Sequence, residues 1–597
     1  MTTADRGAKA PAARSAGRRA AAFAAAFAIA LAILAPGIAA PFTKDAETQS
    51  AQWVVDIVQH GNWLLPLDYY GFVERKPPLF YWLGAIGVEL RGAPIDEIGA
   101  RTPSLIAGAA VAAIVMDWAA ADLGAAGGWL ALAILLGLYG FAARATVALT
   151  DMLMTLILMG AWRTMRPLLD GAAARRRTLL AGVLIGLGLL TKGPVVAVLI
   201  ALAAILYRLM EGVNPIRLAT RAWPWIALAI ALAIAAAWYV PAFIAGRASA
   251  IGGVFVDENF GHFMPASMGG TGEAARPIYY IVARLIGAIM PLALLVPALA
   301  TAFAGRSFTA RARAAMVYQL ALVLAVVLLF SAASAKRDDY ILPAIPPLAI
   351  LFAALFCGAI DGERPHAARV ARLRDWASGG IAAGACVAVA VVFAIGAGGA
   401  LPKSIAAHLQ SSDATFATLF AAGVARMAPP FALMVVAVVA GSVVVFAGLA
   451  RRRPLATGAG LALLCLAVVT LWTAVLRPAE ARTRSLRPFA QAVKEHVGDA
   501  PVYVAYDDPE FAWDYGARVP ALPREIARHG APAGREVYLV ARPSELVRLA
   551  PPVRSAAFAE FSSSAIGGAA PTLYLIPALA APAPALDGLP APAPLAK

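Results

Sequence analysis

Apolar residues occur along this chain in long runs, separated by short segments rich in charged and polar side chains. A membrane-spanning helix needs about 20 predominantly apolar residues. Roughly thirteen runs approach this length, two of them short, and they lie near residues 22–40, 103–121, 126–144, 150–166, 178–192, 194–210, 223–243, 279–303, 314–333, 341–359, 378–399, 428–449 and 456–476. The pattern predicts an α-helical polytopic membrane protein with about 13 transmembrane helices.

The pattern changes after the last of these runs. "PVYVAYDD" and "REVYLVA" predict short buried strands, and "LRPFAQAVKEHV" predicts an amphipathic helix. We therefore predict a small external α/β domain over residues 478–580, followed by an Ala/Pro-rich tail over 581–597 that is expected to be disordered. The preceding chain divides into a basic tail, residues 1–21, and a transmembrane domain, residues 22–477, whose external loop 41–102 carries several motifs.

Composition and charge give the orientation of these segments. Of the 597 residues, 61% are hydrophobic and only 14% are charged, which excludes an ordinary soluble protein. The net charge of +15 comes largely from arginine clusters between the apolar runs. These clusters are the N-terminal tail and residues 163–177, 208–221, 306–313, 364–374 and 451–453. All fall on one side if each run crosses once, so we predict a bacterial inner-membrane protein with a cytoplasmic N-terminus and a periplasmic C-terminal domain, without nucleic-acid binding.

The N-terminus and the cysteines add two expectations. Basic residues followed by the apolar segment 20–40 resemble a signal peptide, but the run is long enough to span and we expect an uncleaved first helix. Cys357, Cys386 and Cys465 lie singly in apolar runs, so neither a disulfide framework nor a zinc-finger spacing is present.

The external loop 41–102 begins with a helical pattern, "DAETQSAQWVVDIVQHGNWLLP". It predicts an amphipathic helix in the plane of the membrane interface, with Trp53 and Trp63 at the depth of the lipid headgroups. Asp45 and Glu47 stand at the start of this helix, where carboxylates are favoured electrostatically. The pattern leaves open whether these acids cap the helix or serve a function.

Two single charges stand at the external ends of apolar runs. Asp151 opens the run in "VALTDMLMT", where a carboxylate near the hydrocarbon core is costly, and helix capping is its alternative role. Lys192 lies in "LLTKGPVV" between two short runs, either as a solvated turn residue or as a functional cation.

Further charges occur in "VDENFGHFMP", "ARPIYYIVAR" and "SAKRDDYILP" on the same predicted side. The candidates for substrate binding in these stretches are Glu258, His262, Arg276, Tyr279, Lys336 and Tyr340. The positive-inside pattern disfavours Lys336 on the external side, which indicates an anionic ligand unless Asp338 and Asp339 neutralise the cations beside them.

Several stretches, in order, resemble the polyprenyl-phosphate-sugar glycosyltransferases of the protein O-mannosyltransferase clan, and most of all the bacterial lipid A aminoarabinose transferases. They are "DAETQSAQWV", "HGNWLLP", "ERKPPLFYWLGA", "GARTPSLIAG", "LTDMLM", "LTKGPV", "ENFGHF" and "SAKRDDYILPAIPPLAIL", within about residues 40–355. The resemblance implies the GT-C membrane glycosyltransferase fold. It also implies transfer of a sugar from an undecaprenyl- or dolichyl-phosphate donor to an external acceptor.

The resemblance also implies residue roles. Lys76 matches the lysine of the KPP motif that contacts the donor phosphate, and Asp151 matches a second external acidic residue. Lys336 and Tyr340 match the cation and the tyrosine of the later motif.

The first acidic motif departs from the family pattern. The family has adjacent Asp-Glu, whereas this chain has Asp45, Ala46 and Glu47. Counting back from "GNW" aligns Glu47 with the family Glu, and a shift of one residue restores Asp45. We assign Asp45 as the catalytic base acting on the acceptor, with Glu47 as the second choice.

A second departure concerns metal binding. Some relatives carry Glu immediately before the KPP lysine, where it helps to hold zinc, but this chain has Arg75 there. Ala275 and Arg276 replace the histidine often found before the Pro-Phe-Tyr-Tyr-like stretch. We therefore expect no zinc and no other cofactor.

These assignments predict a reaction in which Lys76, helped by Arg75, Arg276 or Lys336, stabilises the departing polyprenyl phosphate. The expected partners are a polyprenyl-phosphate-linked sugar, a lipid or glycan acceptor, and membrane lipids. A lipid-linked sugar flippase or another transporter, and an O-antigen ligase or polymerase-like enzyme, are the alternatives. Clustering of ionisable residues at external ends of the runs favours an enzyme over a transporter.

Overall fold

The computed structural model describes residues 10–43, 45–73, 76–172, 174–245, 276–397, 429–505, 507–563 and 571–577. Most of these residues lie in α-helices, and a four-stranded sheet occurs near the C-terminus. The predicted fold class, a helical membrane protein with a small C-terminal α/β part, is confirmed.

The described helices up to residue 245 are α1 (Ala10–Leu34), α2 (Asp45–His60), α3 (Leu79–Arg91), α4 (Glu97–Leu123), α5 (Ala125–Gly137), α6 (Tyr139–Ala145), α7 (Thr150–Leu169), α8 (Arg175–Lys192), α9 (Val195–Met210) and α10 (Ala222–Ile244). From residue 276 they continue as α11 (Tyr280–Ala288), α12 (Val296–Ala304), α13 (Ala310–Ala332), α14 (Ile345–Ala354), α15 (Ala367–Ala397), α16 (Pro429–Ala450), α17 (Pro454–Leu471) and α18 (Arg477–Arg484). A 3₁₀ segment, Asp338–Ala344, precedes α14, and a π-helical turn, Trp472–Leu476, joins α17 to α18.

The predicted count of about 13 transmembrane helices stays a prediction, because only part of the chain is described. Among the described residues, six helices are long and apolar enough to cross a membrane, or up to eight if each bent pair forms one span. One bent pair is α5 with α6, which meet at 72°, and the other is α11 with Leu292–Ala304, at 107°. A continuous apolar run predicts burial of its side chains, but it does not show where the backbone bends.

The core of the helical part surrounds α4, which packs against α1, α5 and α7. Small residues allow the close approach of the N-terminal half of α4 to α6. A Cβ atom added at Gly108 would lie 2.8 Å from the Cβ of Ala145, so a larger residue at this position would push the two helices apart.

The predicted amphipathic helix forms as α2. Trp53 is buried at 8% exposure, and its ring meets the Tyr81 ring of α3 edge-on with 5.3 Å between centroids. Val54 and Ile57 are buried as well. The apolar face of α2 is therefore covered by protein, and the placement of Trp53 at headgroup depth stays a prediction. Trp63 is 37% exposed.

The C-terminal part is built on a sheet of β1 (Val502–Val504), β2 (Val537–Ala541), β3 (Phe558–Ser562) and β4 (Thr572–Ile576). The strand order is β1-β2-β4-β3, with β1 parallel to β2 and the other pairs antiparallel. The associated helices are α19 (Arg487–Val497), α20 (Pro509–Tyr515), α21 (Arg524–His529) and α22 (Pro551–Ala556). Two separate apolar clusters form, one with α19 and α20 and the other with α21 and α22, because alternate strand residues point to opposite faces.

Candidate active site

Two helix ends of opposite polarity meet at the centre of the candidate site. Asp151 lies in the first turn of α7, where free backbone N–H groups favour a carboxylate, and Lys192 lies in the last turn of α8, where free carbonyl groups favour a cation. The Lys192 ammonium donates a hydrogen bond to the Asp151 carboxylate, and both side chains are largely shielded from solvent. Lys192 is thus neither a solvated turn residue nor an isolated buried charge.

Tyr340 and Lys76 lie beside this ion pair. The Lys192 ammonium is 5.2 Å from the centre of the Tyr340 ring, which stacks on the Phe330 ring with 4.5 Å between centroids. Lys76 is half-buried, precedes α3 and lies within electrostatic range of the Asp151 carboxylate. The structure therefore brings together residues from four separate sequence motifs.

Asp338 and Asp339 hold two arginines next to this group. Arg144 donates through Nε to Asp339 Oδ1 at 2.8 Å and through Nη2 to the backbone oxygen of Asp338 at 2.9 Å. The Asp338 carboxylate accepts hydrogen bonds from the Tyr280 hydroxyl and from the Arg284 guanidinium. The two acids therefore pair with arginines from other parts of the chain.

Lys336 is buried and donates hydrogen bonds to backbone oxygens, that of Arg276 at 2.9 Å and that of Ala333. It thereby ties the segment before α11 to the end of α13. The exposed Arg276 guanidinium lies 5.0 Å from the centre of the Tyr280 ring, and the Tyr279 side chain is 66% exposed. Of these predicted ligand-binding residues, Arg276 and Tyr279 are the accessible ones.

Glu47 forms a fully buried ion pair with Arg101. Arg101 Nε donates to Glu47 Oε1 at 2.9 Å, and the same oxygen accepts the backbone N–H of Ala148 at 3.0 Å. Burial alone would raise the pKa of Glu47, but the Arg101 charge and these hydrogen bonds lower the pKa overall. Glu47 therefore joins the first external loop to the segment before α7, and its carboxylate is not accessible to an acceptor.

Asp45, in contrast, is exposed at the start of α2, within electrostatic range of two acids of the C-terminal domain. Burial raises the pKa of Glu510 to about 8, and the negative charges of Asp508 and Asp45 contribute in the same direction. Burial also raises the pKa of Asp508 above its usual range. The raised pKa favours the neutral form of the Glu510 carboxyl group, which lies close to the predicted base.

Three predicted site residues, Arg75, Glu258 and His262, lie outside the described residues, as does loop 400–427. In the parts of the chain that the structure describes, no group of three or more His, Cys, Asp or Glu side chains could hold a metal ion. Metal independence stays a prediction.

Sequence reasoning missed Arg101, Arg144, Arg284 and Glu510 as members of this region. The argument applied to Lys336 could have identified Arg144 and Arg284, since both are cations near the predicted external ends of apolar runs. No sequence signal identifies Glu510, because its raised pKa depends on burial and on acids brought close by the fold.

Comparison with known proteins adds independent information. A family profile described as dolichyl-phosphate-mannose-protein mannosyltransferase matches residues 75–240, which include Lys76, Asp151 and Lys192. The undecaprenyl phosphate-alpha-4-amino-4-deoxy-L-arabinose arabinosyl transferase of Aeromonas salmonicida is 27% identical over 385 residues, covering 61% of this chain and 64% of that relative. The transferase of the same name from Pectobacterium carotovorum is 28% identical over 384 residues, covering 60% and 61%. The matches thus span less than two thirds of these curated relatives.

The crystal structure of ArnT from Cupriavidus metallidurans bound to undecaprenyl phosphate matches 94% of this chain and 98% of that chain, with a TM-score of 0.66 and 18% identity. The chain has the ArnT fold. ArnT in the apo state gives a TM-score of 0.67 at the same identity. The resemblance to aminoarabinose transferases predicted from the motifs is confirmed by these sequence and fold similarities. The ArnT fold places α2, α7 and α8 in one framework, on which the candidate site is built.

Proposed function

We propose that the chain is a membrane glycosyltransferase that moves a sugar from a polyprenyl-phosphate donor to an acceptor at the periplasmic face of the inner membrane. The observation that carries this proposal is the meeting of Lys76, Asp151, Lys192 and Tyr340 at one end of the helical part. Such a partly buried cationic group beside apolar helices suits a phosphate attached to a lipid tail. The names of the curated relatives support the same reaction class.

Lys76 and Arg276 are the proposed ligands of the donor phosphate. Negative charge accumulates on this phosphate as its bond to the sugar breaks, and fixed cations in a water-poor site stabilise that charge. Asp151 offsets the charge of Lys192 and holds it in place. Lys336 contributes indirectly, because it positions the backbone of Arg276.

Asp45 is the proposed base for a hydroxyl acceptor. The acceptor oxygen forms a bond to the anomeric carbon of the sugar, while the bond from that carbon to the phosphate oxygen breaks and its electron pair leaves with the phosphate. The acceptor proton passes to the Asp45 carboxylate. Its exposure supports Asp45 over the buried Glu47 for this role.

An apolar cavity of about 560 Å³ is the proposed location of part of the donor's isoprenoid tail. It lies beside the bend between α5 and α6 and the end of α17. Tyr139 and Trp472 line it with 4.7 Å between their ring centroids, and Tyr139 is within electrostatic range of Arg144 and Arg284. The cations suit the phosphate of a polyprenyl phosphate, and the apolar cavity suits its isoprenoid tail.

Two substitutions test the reaction in membranes supplied with a polyprenyl-phosphate sugar. We expect Asp45→Asn to reduce transfer by about 10²- to 10⁴-fold, the usual contribution of a general base. Lys76→Ala should reduce transfer as well, because the departing phosphate loses a cation. Lys494→Ala, in the C-terminal domain, is the matched lysine control and should retain activity. Wild-type turnover by both site variants at normal expression would contradict the scheme.

We propose aminoarabinose as the sugar and lipid A as the acceptor, because the relatives' names contain this sugar and the motifs resemble the lipid A enzymes. Mass spectrometry of lipid A, other glycolipids and surface proteins should show a sugar-sized mass difference on lipid A when the gene is deleted. A difference confined to another acceptor would replace lipid A in this proposal.

We also propose that transfer requires no metal ion, because Arg75 stands where metal-binding relatives carry an acid. Treatment with a chelator should leave the turnover number unchanged. A loss of activity that added zinc restores would overturn this point.

A further inference from the structure

The C-terminal domain contacts the first external loop through α20. Gln52 Nε2, in α2, donates a hydrogen bond to the backbone oxygen of Pro509 at 3.1 Å. The Tyr70 hydroxyl donates to the backbone oxygen of Asp508 at 3.0 Å and accepts the backbone N–H of the same residue at 3.0 Å. These three bonds hold α20 against the loop that carries Asp45.

An aromatic contact extends the interface inward. The Trp513 ring of α20 meets the Phe42 ring at 61° with 5.2 Å between centroids. Phe42 is only 2% exposed and forms a small apolar cluster with Ala51, Ala100 and Ala148, against which Trp513 packs. This cluster is separate from the main core, and Trp513 is the partly buried apolar side chain that packs against it.

Phe42 connects this cluster to the buried ion pair. The Arg101 guanidinium lies 4.7 Å from the centre of the Phe42 ring and binds Glu47, which accepts the N–H of Ala148. Ala148 lies three residues before Asp151. A continuous set of contacts therefore runs from Trp513 to the segment that positions Asp151, and it passes through Glu47, two residues from Asp45.

A charged contact closes the same interface at its edge. Arg487, at the start of α19, binds Glu97 in the first turn of α4 and lies 3.3 Å from Asp514 of α20. Glu97 stands one helical turn before Arg101. The domain thus also contacts the start of α4, one helical turn from Arg101.

We propose that Trp513 is a positioning residue for the transfer reaction: by packing on Phe42 it keeps the Arg101–Glu47 pair in place, and through that pair it fixes Asp45 and Asp151 relative to each other. This inference rests on the proposed function. It makes the C-terminal domain part of the catalytic apparatus, although Trp513 itself does not touch the reacting atoms.

The kinetic test compares Trp513→Ala with Trp513→Phe and with Val547→Ala, a change at a 68% exposed site in the same domain. We expect Trp513→Ala to lower kcat about 10- to 100-fold, with little change in the KM for the donor, because small displacements of catalytic groups affect turnover most. Trp513→Phe should recover most of the lost turnover, since a ring still packs on Phe42. Val547→Ala should resemble the wild type. An unchanged kcat for Trp513→Ala in folded protein would overturn the proposal.

Hydrogen exchange tests the coupling without using activity. The Ala148 amide, bonded to Glu47, should exchange at least tenfold faster in Trp513→Ala and at the wild-type rate in Val547→Ala, because loosening the pair opens this bond. Phe42→Leu should increase the same exchange, and it provides the test if Trp513→Ala does not fold. Unchanged exchange in both variants would overturn the positioning role. If exchange is faster in Trp513→Ala but the wild-type protein itself transfers no sugar, the result would support the coupling and reject the proposed function.

Discussion

At the scale of single residues, the candidate site depends on charges that have specific partners. Asp151 and Lys192 each suit the helix end on which they lie, and the two ends are placed so that the charges meet. Removing one member leaves the other largely buried without its counter-charge. Removing both members eliminates the unpaired charge, so a double variant separates the effect on stability from the effect on catalysis.

Lys192→Met should lower the free energy of unfolding by about 3–5 kcal/mol, the usual cost of breaking a buried ion pair from one side. The double variant with Asp151→Asn should recover most of this stability, because no unpaired charge remains, but it should not recover sugar transfer. Thermal unfolding in detergent and a transfer assay measure the two effects. Equal recovery of stability and turnover would show that the pair is purely structural.

Arg101→Lys should lower the free energy of unfolding by about 1–3 kcal/mol, because an ammonium cannot satisfy the same set of buried acceptors as the guanidinium. Arg101 binds Glu47 and also donates to the backbone oxygen of Ile38 at 2.9 Å. Arg217→Lys, at an exposed site, is the matched control. Unfolding temperatures that agree for the two variants would argue against a structural role for Arg101.

The sequence allowed Asp151 to be singled out because a carboxylate near an apolar run is costly, and it allowed Lys76 and Tyr340 to be singled out because they match motifs of the family that the chain resembles. It did not allow the partners to be assigned. Asp338 and Asp339 lie next to Lys336 and Arg337 in sequence, yet they bind Arg284 and Arg144. Pairing depends on how helices pack, which neighbouring positions in the chain do not specify.

At the scale of elements, α20 and the residue that caps its N-terminus bring three acids, Asp508, Glu510 and Asp514, to the surface of the first external loop. Burial raises the pKa of Glu510 to about 8 and the pKa of Asp514 to about 6. The folded chain therefore binds protons more tightly at these two carboxyl groups than the unfolded chain does. The stability of the fold should decrease as the two groups ionise.

The sign for Glu510 follows from its ordinary pKa of 4.5 and its raised pKa of about 8. Its contribution to stability is full below about pH 4.5 and is lost as the pH rises through about 8, because the folded state holds the proton longer. The unfolding temperature should accordingly fall between about pH 4.5 and pH 8, and Glu510→Gln should reduce that fall. An equally steep decline in Glu510→Gln would assign the effect to other groups.

Element boundaries illustrate what an apolar pattern leaves undetermined. The run near 126–144 was expected to cross once as a single helix, but the backbone turns by 72° between α5 and α6. Both pieces remain apolar and largely buried, so hydropathy is the same for a straight and for a bent segment. The strands and α19 of the C-terminal domain were easier to predict, because short alternating or amphipathic patterns have distinct periods.

At the scale of the whole molecule, the predicted orientation in the membrane rests on the arginine clusters. In a background with Cys357, Cys386 and Cys465 replaced by alanine, Val547→Cys should react with a membrane-impermeant maleimide in cells with a permeabilised outer membrane. Arg369→Cys, an exposed site near a predicted cytoplasmic cluster, should react only after lysis. The reverse labelling pattern would invert the predicted topology.

The attachment of α20 to the first external loop also limits how this chain can be altered by recombination. Residues that lie more than 400 positions apart, such as Tyr70 and Asp508, share one interface. A chimera that takes its C-terminal domain from a relative would meet a loop shaped for another surface, and the exchange would succeed only if both segments came from the same parent. For engineers seeking new acceptors, the unit to transplant is therefore discontinuous in sequence: the loop, the start of α4, and the domain together.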